Sequence, residues 1–247
     1  MIRLENLTKR LGSFHLSDIT MEIHPGDYVV LLGDSGSGKT VLLEILAGLI
    51  QPDHGEIYVD DRRITRDPIR KRPFGIVFQD LALFPHLTVF QNLAYPLLSK
   101  GLTTPLIRDE VKNLARQFEI SHLLDRPVSG LSGGERQRTA LARTLAKKPA
   151  CLLLDEPLSA LDVRIRTESR ILLSRLNQNQ QTIIHVTHDY LEAASLASHI
   201  GILEQGRLAQ FGPTRKVLND PSNPFRERLT EMKKIIEGSL KPVTPAY

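Results

Sequence analysis

The sequence predicts an α/β fold with a mostly parallel sheet, an antiparallel β-subdomain at the N-terminus and an inserted helical subdomain. Short alternating apolar runs fill residues 2–32, helical periodicity takes over from about 81 to 148, and apolar runs return at 151. Strands that alternate with helices are connected by right-handed crossovers in a parallel sheet. The predicted units are a core of 1–80 and 149–225, the helical subdomain 81–148, and a helical tail 226–247.

The first part of the chain has the pattern of strands and turns. Apolar residues alternate between Ile2 and Ile23, as they do in half-buried strands, and a turn over 24–27 precedes the buried run Tyr28–Leu32. A helix is predicted from 41 to 47, because Gly48 is its first breaker. Two shorter strands are predicted at 56–60 and 75–78, with Asp60 and Asp61 starting a turn.

Helices and strands alternate in the second half. The predicted elements are helices over 103–118 and 136–147, strands over 151–154 and 182–186, a helix over 163–177 between these strands, and a mostly helical stretch over 213–236. The predicted apolar side of the 163–177 helix consists of Ile165, Ile171, Leu172 and Leu176. Gln205 and Gly206 have the pattern of a two-residue hairpin turn.

Composition excludes several classes of protein. The 247 residues carry a net charge of +4, and the basic clusters Arg62-Arg63 and 70–72 are interpreted as solvated faces. No aromatic residues interleave with these clusters, so we expect no nucleic-acid partner. The single cysteine, Cys151, lies beside three leucines, which predicts a buried, inert thiol in a reducing compartment.

The sequence shows no signal for crossing a membrane. The N-terminal residues lack the apolar segment of a signal peptide, and no run of 18 apolar residues occurs in the chain. We therefore expect that, if the protein acts at a membrane, it does so by binding partner chains that span the membrane.

A glycine-rich loop between the 28–32 strand and the following helix is the strongest motif. It matches G-x-x-x-x-G-K-[ST] in the required strand-loop-helix context, and its members are Gly33, Asp34, Ser35, Gly36, Ser37, Gly38, Lys39 and Thr40. Glycines allow consecutive N–H groups to face one point, and the helix N-terminus adds partial positive charge. Lys39 is predicted to reach the β- and γ-phosphates, and Thr40 to bind Mg²⁺.

A second helix N-terminus carries the residues of a capping box. Ser132 and Glu135 have the S-x-x-E spacing in which each side chain accepts a hydrogen bond from the other's backbone N–H. The box by itself indicates an ordinary cap. Gly133 and Gly134 are not needed for a cap, and they would let a ligand approach the backbone, so we interpret this end as a second anion site.

Polar side chains follow three of the predicted strands. Asp155 and Glu156 end the 151–154 strand, His188 follows the 182–186 strand, and Gln79 follows the 75–78 strand. The carboxyl ends of parallel strands are where α/β sheets bind ligands. We predict that Asp155 and Gln79 help to hold Mg²⁺, that Glu156 is a general base for water, and that His188 contacts the γ-phosphate or orients the water.

Together these segments resemble the ATP-binding subunits of ABC transporters over about residues 1–225. The matching segments are GDSGSGKT (33–40) for Walker A, Phe78-Gln79 for the Q-loop, LSGGERQR (131–138) for the signature, CLLLDEP (151–157) for Walker B, SALD (159–162) for the D-loop and VTHD (186–189) for the switch histidine. The resemblance implies an ATPase that uses ATP and Mg²⁺, with Asp162 among the nucleotide-site residues.

The resemblance also implies partners. Two copies would pack head to tail, so that ATP on Gly33–Thr40 of one copy is covered by Ser132, Gly133 and Gly134 of the other. Permease subunits in the membrane would receive the motion near Gln79, with a solute-binding protein as an indirect partner. The implied location is peripheral, on the cytoplasmic face of the cell membrane.

One position departs from the family pattern. Leu11 stands where the family places an aromatic residue that stacks on adenine, and Phe14 is a nearby substitute. We therefore expect weaker adenine contact and a relaxed nucleotide preference. Asp34 stands where proline is common, and it brings a carboxylate near the phosphates.

The segment 80–97 resembles ATPases of binding-protein-dependent importers, especially the molybdate/tungstate, sulfate and polyamine groups, and both the opening MIRLENLTKR and the run 121–135 favour the molybdate/tungstate-like group. Many such subunits carry a C-terminal regulatory domain, for which the residues after 225 are too few, so no feedback binding of oxyanion is expected. Alternatives are an exporter or a lipid or lipoprotein extraction ATPase. A soluble nucleic-acid-associated ATPase would need a long coiled-coil insertion, and none fits between 40 and 131.

Overall fold

The computed structural model describes residues 1–98 and 101–220. Within this part of the chain the strands are β1 Ile2–Leu11, β2 Phe14–Ile23, β3 Tyr28–Leu32, β4 His54–Val59, β5 Arg62–Arg63, β6 Phe74–Val77, β7 Cys151–Asp155, β8 Thr182–Thr187, β9 His199–Glu204 and β10 Arg207–Pro213. The helices are α1 Lys39–Ala47, α2 Val89–Leu98, α3 Thr104–Gln117, α4 Gly133–Leu145, α5 Val163–Gln178, α6 Tyr190–Leu196 and α7 Thr214–Asn219.

The strands form a mixed sheet in the order β5-β4-β1-β2-β10-β9-β3-β8-β7-β6. Five neighbouring strands, from β9 to β6, run parallel, while β1 pairs antiparallel with both β2 and β4. The two regions meet through β10, which pairs with β2 at one position, Arg207 with Ser17. The predicted α/β class with an N-terminal antiparallel part is confirmed.

Helix α1 lies between the antiparallel strands and one face of the parallel sheet. Its apolar residues Leu42, Leu43, Ile45 and Leu46 are fully buried there. The opposite face of the sheet is covered by the remaining helices, which share a second apolar cluster with Tyr28 and Leu152. Burial on both faces explains why β3 and β7 are continuous apolar runs. The glycine-rich loop before α1 is therefore held by two packed layers.

The helices of the 81–148 region begin and end close to their predicted residues. Helix α3 covers most of the predicted 103–118 span. Helix α4 starts three residues before the predicted Arg136, because Ser132 is its N-cap. These helices share one apolar cluster with the parallel sheet, so the bounds of a separate helical subdomain stay a prediction. The predicted tail 226–247, and most of the helical stretch over 213–236, lie outside the described residues.

The predicted apolar side of the long helix was wrong at one position. Helix α5 has nearly the expected bounds, but Ile171 is 50% exposed and Leu173 is buried instead. The buried residues are Ser169, Leu172, Leu173 and Leu176, which have the i, i+3, i+4, i+7 spacing of one helical face. Ile171 lies between Ser169 and Leu172, outside this spacing, and its side chain is therefore turned toward solvent.

The interpretation of Arg72 as part of a solvated basic face was also wrong. Its side chain is buried and donates hydrogen bonds to four backbone carbonyls, including those of Ile45 and Leu46 at the end of α1. These two carbonyls lie in the last turn of α1, where the helix supplies too few donors; the Gly48 N–H also donates to Ile45, and the buried guanidinium supplies further donors. The other members of the two basic clusters are exposed, as expected.

Two local predictions are confirmed. Cys151 is buried, and burial raises the pKa of its thiol well above the usual range, as expected for an inert cysteine. The β9–β10 hairpin turns at Gln205 and Gly206, whose φ angles are 46° and 79°. Within residues 1–98 and 101–220, the helices are all too short or too polar to cross a membrane.

Candidate functional site

The glycine-rich loop joins the carboxyl end of β3 to the N-terminus of α1. Gly36 and Gly38 have φ angles of 82° and 104°, in a region that residues with side chains rarely adopt. A Cβ atom at Gly38 would also stand 2.5 Å from the ring of Phe14. The loop thus curls tightly at the N-terminal end of α1, where unpaired N–H groups and the helix dipole favour an anion.

Lys39 is the first residue of α1, and its side chain is 6% exposed. The ammonium donates hydrogen bonds to the carbonyls of Gly33 at 2.8 Å and of Asp34 at 2.9 Å. Burial lowers the pKa of Lys39, while the carboxylates of Glu156, Asp34 and Asp155 act in the opposite direction. The positive charge is therefore held inside the loop, against neutral carbonyls that an anionic ligand can replace.

Thr40 and Asp155 meet at the base of this loop. The Thr40 hydroxyl donates to a carboxylate oxygen of Asp155 at 3.1 Å, which joins α1 to the carboxyl end of β7. Burial raises the pKa of Asp155, and the neighbouring Glu156 adds to this, while the Thr40 hydrogen bond and Lys39 oppose it. A buried carboxylate beside a hydroxyl has the oxygen ligands that a magnesium ion prefers, and a cation would relieve its desolvation.

Glu156 and His188 form a second pair at the same edge of the sheet. The Glu156 carboxylate lies 3.1 Å from Nδ1 of His188, which follows the end of β8. Glu156 has a φ of 43°, and its backbone N–H donates to the Val186 carbonyl on the neighbouring strand. The left-handed backbone thus directs the carboxylate out of the strand toward the histidine, in a conformation that costs free energy and is often found at functional sites.

The side chains of Lys39, Thr40, Asp155 and Glu156 share one cleft of about 570 Å³, and His188 is not among the residues that line it. Its lining residues are Phe14, Ser35, Gly36, Gly38, Lys39, Thr40, Val41, Gln79, Asp155 and Glu156. The cleft brings together residues from four predicted segments that are far apart in sequence. Asp34 and Ser37 instead line a neighbouring cleft of about 950 Å³ on the other side of the loop.

Leu11 does not line the cleft, although it was a candidate contact for a base. It pairs with Phe14 across the β1–β2 hairpin and is 39% exposed, while Phe14 lies on the cleft wall beside Gly38. The aromatic surface that the sequence lacks at position 11 is therefore present at position 14.

The capping box at α4 is formed as predicted. Ser132 N donates to Glu135 at 2.7 Å, and Glu135 N donates to the Ser132 hydroxyl at 3.3 Å. The hydrogen bonds between Ser132 and Glu135 lower the pKa of the Glu135 carboxyl. None of the residues 132–135 lines the cleft around Lys39. A candidate anion site at this helix end is thus separate from the glycine-rich loop of the same chain.

The two glycines of this box have a packing role that sequence reasoning missed. A Cβ atom at Gly134 would approach Ile165 of α5 to 2.8 Å, and one at Gly133 would contact Leu161. Gly134 therefore lets α4 pack closely on α5, whatever it does for a ligand. Asp162 likewise has a structural role, because its carboxylate caps α5 by accepting from Arg164 and Ile165 N–H groups at 3.0 Å.

The arrangement defines a class of protein. A glycine-rich loop at a helix N-terminus binds polyphosphate, and a buried Lys, a Thr–Asp pair and a Glu–His pair at one sheet edge are the side chains of a phosphate-binding-loop nucleotide hydrolase. The model of the ABC transporter family matches residues 16–159. The chain belongs to this family, and it is an ATPase of that family.

Named relatives are similar over most of the chain. The molybdate/tungstate import ATP-binding protein WtpC of Pyrococcus horikoshii is 42% identical over 241 residues, which is 96% of this chain and 69% of that protein. The maltose/maltodextrin import ATP-binding protein MalK of Escherichia coli is 42% identical over 226 residues, 91% of this chain. This chain spans 61% of the length of MalK.

Experimental structures share the fold. CbiO1 from Clostridium perfringens, part of the ABC transporter complex CbiONQ, has a TM-score of 0.82 at 30% identity, covering 96% of this chain and 98% of that one. The ATP-binding cassette MJ0796, in a dimeric post-hydrolysis state with ADP and Pi, has a TM-score of 0.76 at 31% identity, covering 87% of this chain and 99% of that one.

Proposed function

We propose that the chain hydrolyses ATP in the cleft around Lys39 to power an importer. The observation that carries the proposal is the convergence of Lys39, Thr40, Asp155, Glu156 and Gln79 on one cleft. The loop N–H groups and Lys39 would hold the phosphates, with the ammonium exchanging its carbonyl partners for β- and γ-phosphate oxygens. Phe14 would contact the base from the cleft wall.

Thr40, Asp155 and Gln79 would hold Mg²⁺, since a hydroxyl, a carboxylate and an amide supply oxygen ligands at one end of the cleft. The ion would neutralise charge on the transferring phosphoryl group. Glu156 is the proposed general base, because its carboxylate lies in the cleft and can accept a proton from water. His188 would orient that carboxylate through Nδ1 and contact the γ-phosphate with the rest of its exposed ring.

We further propose that two copies complete the site. The α4 N-terminus lies outside the cleft of its own chain, which agrees with a role at the cleft of a second copy. The dimeric state of the similar cassette MJ0796 supports the same arrangement. Residues Ser132, Gly133 and Gly134 would then contact the γ-phosphate from the opposite side.

Replacing the proposed base tests the chemistry. Glu156→Gln keeps the size of the side chain and removes its basicity, so hydrolysis should fall roughly 100-fold or more, the range for loss of a general base. ATP binding should persist, and the ATP-bound dimer should accumulate in size-exclusion chromatography. Glu168→Gln, an exposed change on α5, is the matched control and should keep full turnover. Full turnover in Glu156→Gln would contradict the role of Glu156.

The proposed membrane partner is a permease. A groove of about 850 Å³ lies beside the segment that follows Gln79, and it is lined by Ile69, Arg70, Phe74, Gly75, Ile76, Ala82, Phe84, Tyr95, Pro96, Leu98, Arg143, Thr144 and Lys147. Ile69, Tyr95 and Leu98 expose 46%, 54% and 63% of their surface, which is unusual for apolar side chains in one place. A cytoplasmic helix of a permease, with an apolar face and an acidic residue, would fit this basic-rimmed groove.

A charge in the groove tests this partner. Leu98→Arg should abolish co-purification with the permease of the complex, because the apolar helix would meet a buried charge. Leu106→Arg on α3 introduces the same change at a residue that is 54% exposed outside the groove, and it should leave the complex intact. Equal recovery of the permease with both variants would rule out the groove as its docking site.

The proposed cargo is an oxyanion of the molybdate, tungstate or sulfate type, delivered by a solute-binding protein. The match to WtpC is longer than the match to MalK at equal identity, which supports this choice. The chain would sit on the cytoplasmic face of the membrane through its permease. Vesicles that contain the complete complex should take up labelled tungstate when ATP is present, and uptake of maltose instead would overturn the oxyanion assignment.

A further inference from the structure

Arg166 of α5 connects two segments that flank the catalytic pair. One terminal guanidinium nitrogen donates to the Leu161 carbonyl at 3.1 Å, and the other lies 3.8 Å from a carboxylate oxygen of Asp189. Leu161 belongs to the loop that follows Glu156, and Asp189 is the residue after His188. The side chain is 33% exposed, so the ion pair is partly shielded from solvent.

The loop on the first side is tied directly to Glu156. The backbone N–H and the hydroxyl of Ser159 both donate to the Glu156 carbonyl, at 3.2 Å and 2.9 Å. Glu156 has a left-handed backbone, so its side-chain direction depends on these neighbours. A shift of the 159–162 loop would therefore change where the Glu156 carboxylate points.

Asp189 on the second side fixes the backbone around His188. Its N–H donates to the Thr187 hydroxyl at 3.0 Å, and its carboxylate caps α6 by accepting from the N–H groups of Leu191 and Glu192. His188 lies between these two anchored residues, and its Nδ1 reaches Glu156. The contacts thus form a closed ring from Glu156 through the loop, Arg166 and Asp189 to His188.

A buried carboxylate beneath this ring adds to the attraction for Arg166. Glu192 is 2% exposed, and it lies 3.3 Å from Nε2 of His185. Burial alone would raise the pKa of Glu192, but the neighbouring His185 and Thr187 side chains and the charge of Arg166 lower it. The charge of Arg166 therefore interacts favourably with Glu192 as well as with Asp189, both at the start of α6.

We propose that Arg166 is a positioning residue, which keeps His188 and Glu156 aligned by joining the 159–162 loop to Asp189. The inference rests on the proposed function, since it concerns the same hydrolysis. It predicts that loss of Arg166 lowers kcat, because the catalytic pair separates, while the phosphate loop and the affinity for ATP are unaffected. A misplacement near 1 Å costs up to roughly 100-fold in rate.

Three variants separate the contacts. Arg166→Gln keeps a donor for the Leu161 carbonyl and removes the positive charge that pairs with Asp189. Arg166→Lys keeps the positive charge, but its single ammonium cannot contact Leu161 and Asp189 with two separate nitrogens as the guanidinium does. Asp189→Asn keeps the helix cap and removes the acidic partner. The matched control is Arg164→Gln, whose side chain on the same turn is 89% exposed and pairs only with Glu168 among the described residues. All variants are measured as full chains.

We expect Arg166→Gln and Asp189→Asn to lower kcat roughly 10- to 100-fold, with the Kd for ATP unchanged within about twofold. The double variant should be no slower than Arg166→Gln alone, because both changes remove one interaction. Arg166→Lys should recover part of the rate. The Arg164→Gln control should match the parent in both constants.

Several results would overturn the inference. These are a parental kcat in Arg166→Gln, equal losses of kcat and ATP affinity, or additive effects in the double variant. If Arg166→Gln lowers the melting temperature enough to unfold the chain, Asp189→Asn decides alone, because its cap is retained. A parent chain that binds ATP but does not hydrolyse it, alone or with its permease, would refute the proposed function instead.

Discussion

Arg72 holds the end of α1, the helix that begins at the phosphate loop. Its removal should therefore destabilise the protein more than the loss of an exposed arginine of the same basic cluster. Its guanidinium donates to the carbonyls of Ile45 at 2.6 Å, Leu46 at 2.7 Å, Thr65 at 2.6 Å and Asp67 at 3.0 Å. The side chain is 5% exposed, so water cannot replace these donors.

The expected magnitude follows from the hydrogen bonds. A hydrogen bond to a charged group contributes about 1.5–3 kcal/mol, so the sum for four bonds, about 6–12 kcal/mol, is an upper limit. The four bonds share one side chain, and the carbonyls left behind are neutral and relax in part, so the loss is well below this limit; breaking a buried hydrogen-bond network by one substitution rarely costs more than about 4–5 kcal/mol. Arg72→Met keeps the aliphatic stem over Gly48, and we expect it to lower the free energy of unfolding by about 3–5 kcal/mol.

Urea unfolding followed by circular dichroism measures this change. Arg70→Met is the matched control, because Arg70 is exposed two residues earlier and should change stability by less than about 0.5 kcal/mol. Arg72→Met should also bind ATP less tightly, since α1 carries Lys39 at its other end. A loss below about 1 kcal/mol, or the same loss in both variants, would refute a special role for the buried guanidinium.

Three further predictions concern the site. Ser132→Arg should leave ATP binding by the single chain intact and abolish ATP-driven dimerisation, whereas the exposed control Ser121→Arg should dimerise normally; dimers of Ser132→Arg in light scattering would contradict a shared site. Phe14→Ala should weaken ATP binding roughly tenfold by removing the ring on the cleft wall, whereas Leu11→Tyr, outside the cleft, should bind ATP like the parent; an unchanged affinity in Phe14→Ala would rule this out. Asp155→Asn should melt at a higher temperature at pH 7 while losing hydrolysis, because burial raises the pKa of Asp155 and its ionised form therefore destabilises the fold. That advantage should vanish in thermal melts below about pH 3, where the carboxyl is protonated in both states, and an advantage that persists there would contradict the electrostatic cause.

Much of the site could be predicted because its residues occur in local patterns. The loop 33–40 carries its own strand-loop-helix context, and Ser132 with Glu135 carries the spacing of a capping box. The carboxyl ends of β7 and β8 could be located from the apolar runs before Asp155 and His188. One general rule, that ligands bind beyond the carboxyl ends of parallel strands, then brings these residues to one edge.

The wrong predictions arose where packing overrides local pattern. Arg72 belongs to a basic cluster in sequence, but the end of α1 needs donors and the buried guanidinium is the group that reaches it. Ile171 is apolar, like the residues of the buried face of α5. The face that packs against the sheet, however, has the i, i+3, i+4, i+7 spacing that includes Leu172 and Leu173 and leaves Ile171 out. Neither outcome is visible without the neighbouring elements.

Contacts between distant segments could not be derived from the sequence. The approach of Gly134 to Ile165 and the link from Arg166 to Asp189 each join residues from separate elements, and neither residue pattern indicates the contact by itself. The position of Phe14 on the cleft wall also depends on how the β1–β2 hairpin folds over the loop. These contacts depend on helix packing and hairpin placement, which have no short-range signal.

The sequence by itself determined the α/β class, the phosphate loop and the candidate side chains at the ends of the strands, because strand periodicity, glycine-rich turns and helix caps are short-range properties of the backbone. The tertiary structure decided which of these side chains share a cleft. It placed Glu156 against His188, kept Ser132 away from its own phosphate loop, and buried Arg72. Those outcomes depend on close packing of α1, α5 and α6 against the sheet, in which each contact is set by the positions of several elements at once.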